Sequence, residues 1–155
     1  MCITNYLDNL QERTTWCKEN IIELTITIIN SSYEAKTQIV QLNKDQLYQL
    51  GEDIKGLRLA PYKSIFYAEY KFDLRGDGKE ITDLFRTGDF QNGMYLYFEG
   101  EMYGISSEDS KTLDLESKYG EIFGLSEDNK LLVFPIIKPQ LQETVMSVLK
   151  TGSLV

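Results

Sequence analysis

The sequence contains no histidine. That removes Ser-His-Asp and Cys-His nucleophilic catalysis, histidine metal ligation and histidine acid–base chemistry. Two cysteines, Cys2 and Cys17, make no disulfide framework and fit no zinc spacing. Cys17 continues an apolar stripe, so a reduced core thiol is expected there. Neither GxGxxG nor GxxxxGK[ST] occurs, so no glycine-rich phosphate loop is expected. The first residues lack the basic and apolar regions of a signal peptide, and no apolar run nears the ~20 residues that span a bilayer. The chain is therefore expected to be cytoplasmic, without a membrane partner. The glycosylation triplet Asn30-Ser31-Ser32 then carries no information. Bases are also scarce: 16 Lys and Arg stand against 24 acids, a net charge of −8. No Lys/Arg cluster is present, and such a chain repels phosphate backbones, so no nucleic-acid partner is expected. No metal or cofactor is implied.

What remains has the composition of an ordinary globular protein. With 155 residues, 42% apolar and 26% charged, the chain reads as a single domain over 1–155. Residues 4–18 read as a helix, capped by Thr4, with Ile3, Leu7, Leu10 and Cys17 along one side. Ile22, Leu24, Ile26 and Ile28 alternate with polar residues, which predicts a strand over 20–29; a second is expected over 36–42. Asn43 and Gln46 have the spacing of a helix cap, with Leu42 and Leu47 as its staple. That helix is expected to bury Leu47, Leu50 and Ile54 and to end at Gly56.

Residues 63–74 alternate Phe66, Ala68, Tyr70, Phe72 and Leu74 with charged neighbours, a third strand. A turn at 75–78 and strands over 80–86, 120–125 and 130–137 follow, the last two joined by a turn at 126–129. A last helix from Pro139 buries Leu141, Val145, Val148 and Leu149 and stops at Gly152. The order predicts an α+β domain, with about three helices packed on an antiparallel sheet of about six to eight strands.

Two acidic constellations invite a chemical reading. Asp73 to Gly78 is similar to a calcium loop, but Arg75 occupies its third position and Leu84 its twelfth, so it reads as a turn. A carboxylate pair such as Glu69 and Glu101, meeting across a sheet, would suit a hydrolase that needs no histidine.

The strongest signal is charge placement. Residues 99–128 hold nine acids against Lys111 and Lys118, a net −7 of the chain's −8. Within this region, Met94 to Ile105 reads as a hairpin around Glu99-Gly100, pairing Phe98 with Glu101, Tyr97 with Met102 and Leu96 with Tyr103. One face carries Met94, Leu96, Phe98, Tyr103 and Ile105. The other carries Tyr95, Tyr97 and Met102, either covered by a helix or open as an aromatic patch. Tyrosine and methionine beside acids suit a basic protein partner. The candidate partner-binding residues are Tyr95, Tyr97, Glu99, Glu101, Tyr103, Glu108, Asp109, Asp114 and Glu116.

An acidic domain with tyrosines among its carboxylates resembles a bacterial toxin-immunity protein. The resemblance implies a non-catalytic inhibitor that occludes the cleft of a basic, nuclease-type toxin. One alternative is a nucleic-acid-mimicking phage inhibitor of a host defence protein; another is a carboxylate-only hydrolase. An exposed strand edge also leaves homodimerisation open.

Overall fold

The structure, a computed structural model, describes residues 3–152, with side chains from residue 9 onward. Three helices open the chain: α1 (Ile3–Glu19), α2 (Ile21–Ser31) and α3 (Tyr33–Asp45). A single π turn, Gln46–Leu50, extends α3 and closes on left-handed Gly51 (φ 62°). Then come α4 (Ile65–Arg75), the short α5 (Asp89–Asn92), a hairpin of β1 (Met94–Glu99) and β2 (Met102–Ser107), α6 (Thr112–Tyr119) and the long α7 (Glu127–Thr151).

Helix α7 packs against α1, α2 and α3, and α3 packs on β1. The core lies between them, where Ile28, Ile39 and Leu42 meet Met94, Ile105, Val133 and Ile137. Among the described residues no helix is long and apolar enough to cross a membrane.

The expected sheet of six to eight strands is absent: among the described residues the sheet has two strands, and the rest is mainly helix. The α+β expectation fails because alternation at period two also places residues four apart, which share a helix face. In 20–29 the residues buried are Leu24, Ile28 and Ile29, while Ile22 is 63% exposed. The expected strand over 36–42 lies within α3, where burial falls on Ala35, Ile39, Leu42 and Asn43, a helical spacing, and Ser32 Oγ caps the helix by accepting from Ala35 N–H at 3.1 Å. Packing of α2 and α3 against each other and against α7 overrides the β-propensity of their isoleucines.

The expected strand over 63–74 is α4. Ser64 Oγ accepts from Tyr67 N–H at its start, and left-handed Gly76 (φ 70°) ends it. The segment 80–86 is irregular, its Ile81, Thr82 and Asp83 buried. The turn at 126–129 and the strand over 130–137 are the start of α7. Ser126 caps that helix, which runs through Pro135 and Pro139. Those prolines are four apart and both exposed, so the carbonyls they leave unbonded lie towards water.

Asn43 does not begin a helix. It is fully buried inside α3, and its amide donates to Ile122 O at 3.0 Å and Gly124 O at 2.8 Å. Gln46 donates to Asp53 O and accepts from Ser126 N–H and Asn129 Nδ2. These two amides satisfy the backbone of 122–126, so that stretch needs no strand partner. Leu47 is buried as expected, but Leu50 is exposed and the helix ends at Gly51 rather than Gly56.

The first and last helices agree better with expectation. Cys17 is buried, and Leu10 is half-buried. Thr4, Ile3 and Leu7 lie outside the described side chains, and Cys2 outside the described residues. Val148 is buried, with Leu141, Val145 and Leu149 half-buried, and Gly152 (φ 75°) stops α7. Arg13 Nη1 donates to Leu149 O and Lys150 O, both at 3.0 Å, tying α1 to the carbonyl end of α7.

Candidate functional site

The hairpin turns at Gly100–Glu101, one residue beyond the expected Glu99–Gly100. Its register pairs Glu99 with Met102, Phe98 with Tyr103, Tyr97 with Gly104 and Leu96 with Ile105. Gly100 holds φ 59° at the first turn position, as a two-residue turn with glycine leading requires. Partners shift by two relative to expectation, so each side chain keeps the face assigned to it.

The inner face packs on the core. Met94 and Ile105 are buried, and Leu96, Phe98 and Tyr103 are partly buried against them. The outer face is uncovered. Tyr95 and Tyr97 are each 43% exposed and Met102 is 68% exposed. The two tyrosine rings lie 6.3 Å apart at 54°. Tyr97 lies flat across its partner strand: a Cβ at Gly104 would stand 2.4 Å from its Cζ and Oη. The absence of a side chain at Gly104 therefore sets the position of that ring. Exposed Glu99 shares this face, and exposed Glu101 sits in the turn beside it.

The structure divides the other expected site residues. Tyr103 belongs to the inner face, where burial raises its phenol pKa and the nearby Lys130 offsets part of the rise. Glu108 is exposed and Asp109 half-buried beyond the far end of β2. At 3.3 Å per residue they stand on the order of 20 Å from Glu101. Asp109 Oδ1 accepts from Lys111 N–H at 2.7 Å. Asp114 and Glu116 are exposed on α6. Glu121 is paired with Lys55 and Glu127 with Lys130. The acids that share the tyrosine face are thus Glu99 and Glu101. The hydrolase pair does not form across a sheet, because Glu69 lies on a helix and Glu101 in the hairpin turn, both exposed.

A second aromatic surface escaped the sequence reading. Helix α4 turns Ala68, Lys71, Phe72 and Arg75 inward and shows Phe66, Tyr70 and Leu74 to solvent, Phe66 being 81% exposed. Glu69 and Asp73 are exposed among them. The signals were present: Phe66, Tyr70 and Leu74 are four apart, and Ser64 and Gly76 bracket the segment as caps.

What inverts α4 is a buried ion cluster. Asp83 lies 3.1 Å from Lys71 Nζ and 3.2 Å from Arg75 Nη1, and the side chains of all three are 6% exposed or less. Lys71 also donates to Phe85 O, and Tyr62 donates to Asp83 Oδ1 at 3.0 Å. Arg75 stacks 4.5 Å from the Tyr48 ring and reaches Asp77, while its Nη2 is buried without a partner. Burial foremost, with Asp83 beside it, pushes the Tyr62 phenol far above the ordinary tyrosine range.

No family model, curated protein or solved structure matches the chain.

Proposed function

We propose that this protein is a non-catalytic binding protein that docks a basic protein partner on the outer face of its hairpin. The observation that carries the reading is the open aromatic face itself. Tyr95, Tyr97 and Met102 remain exposed although the opposite face of the same strands is packed on the core. Exposed Glu99 and Glu101 stand at its tip. Tyrosine rings supply contact area at low entropic cost, methionine is enriched at interfaces, and the acids steer a cationic partner. The uncovered stripe of α4, with Glu69 and Asp73, offers a second surface of the same character. Inhibition by occlusion follows, as in an immunity protein facing a basic nuclease-type toxin in the cytoplasm.

The test is capture from the source organism, with this chain as bait and elution by a salt step. The expected result is one stoichiometric basic protein that is held by the wild-type chain and released by salt. A Tyr95→Ala/Tyr97→Ala variant should not retain it, whereas Tyr33→Ala, altering an 81% exposed tyrosine elsewhere, should. Equal retention by the double variant would remove the face from the mechanism.

A further inference from the structure

A cavity of about 390 Å³ opens between the start of α4, the 84–91 segment and α6. Its charge is opposite to that of the molecule. Lys63, Arg86, Lys111 and Lys118 line it against one carboxylate, Asp109, a local net of +3 in a chain of −8. All four cations are exposed, and none forms an ion pair within 4.0 Å among those described. Lys118 Nζ stands 4.7 Å over the Tyr119 ring. The walls are aromatic, with Tyr62, Tyr67, Phe85 and Phe90 beside Tyr119.

The inner wall is built on Gln91 and Leu84. Gln91 lines the cavity and is 6% exposed. Its Nε2 donates to Leu84 O at 3.1 Å, which fixes the amide orientation and leaves Oε1 buried with no partner. Leu84 itself sits at φ 51°, held between that bond and the Phe85 N–H donated to Asp83. The wall is thus a fixed surface tied to the buried ion cluster.

Cations at the rim and aromatic walls suit one ligand chemistry: an anion attached to a planar ring. We propose that this cavity binds a mononucleotide, its phosphate held by side chains of Arg86, Lys111 and Lys118 and its base stacked on the aromatic wall. The cavity lies within the ~300–1,000 Å³ of small-molecule sites. With no glycine-rich loop in the chain, side chains rather than backbone would grip the phosphate. The site is independent of the hairpin face and stands whether or not that face docks a protein.

The experiment is calorimetric titration of the intact chain with AMP, GMP, CMP and UMP, and with adenosine and inorganic phosphate. At least one nucleotide is expected to bind at least tenfold tighter than phosphate or adenosine. Arg86→Glu/Lys118→Glu, two exposed positions, should weaken that binding by about tenfold or more with an unchanged melting temperature. Phosphate bound as tightly as every nucleotide, or nucleotide binding indifferent to the two charge reversals, would overturn the proposal. So would no binding by any nucleotide at millimolar concentration.

Discussion

Asp83 is the residue on which α4 depends. Two cations, Lys71 and Arg75, are held away from water with its carboxylate between them. Removing one member of a buried ion cluster leaves the others uncompensated, at a cost of about 3–5 kcal/mol. Asp83→Asn is expected to lower the stability by an amount in that range in urea denaturation, with α4 the first segment to lose amide protection in hydrogen exchange. A loss below about 1 kcal/mol would mean that the cluster does not hold the helix. Tyr62 and Tyr103 set the alkaline limit. Their folded pKa values lie above the ordinary value near 10, so their contribution is complete below about pH 10 and is lost as the pH rises towards the folded values. Stability should therefore fall steadily above pH 10, and a Tyr62→Phe/Tyr103→Phe variant should show a flatter alkaline limb. Its neutral stability should drop by about 1 kcal/mol for the lost Tyr62–Asp83 hydrogen bond. An identical alkaline slope in both proteins would disprove the linkage.

The helices and the hairpin differ in what holds them in place. In α7 the prolines at 135 and 139 each remove one helix hydrogen bond, yet the helix continues from Glu127 to Thr151 because its inner face packs on α1, α2 and α3. Pro135→Ala restores that bond at an exposed position, so the melting temperature should rise by a few degrees in calorimetry. A fall would show that proline shapes the packing. These elements also mark how far the sequence was legible. The hairpin faces and the span of the first helix followed from local pattern, and the stop of α7 at Gly152 from cap chemistry. The helices α2 and α4 did not, since alternating isoleucines and aromatics fit both periods and only contacts distant in sequence decide between them. Asn43 and Gln46 were singled out by spacing, but the backbone they satisfy lies some 80 residues away. Lys71 and Arg75 read as solvent-facing charges because nothing local points to Asp83. The shared face of Tyr95 and Tyr97 was legible, though not its exposure, and the nine acids do not form one group: the fold spreads them over the hairpin tip, its base, α6, the segment after it and the start of α7.

At the scale of the whole molecule, charge is sorted. The acids of the hairpin tip border an open aromatic face, while four cations gather around one cavity. The central claim is that the outer hairpin face docks a basic protein, and Gly104 gives the most direct access to it. Alanine there is compatible with the strand, but its Cβ would meet the Tyr97 ring at 2.4 Å and push it aside. The decisive measurement is the affinity of the captured basic partner for wild type and for Gly104→Ala, beside the melting temperature of each. The account predicts a melting temperature within about 2 °C of wild type and binding weakened at least tenfold, the scale of a displaced aromatic anchor. Unchanged affinity in a folded Gly104→Ala protein would contradict it.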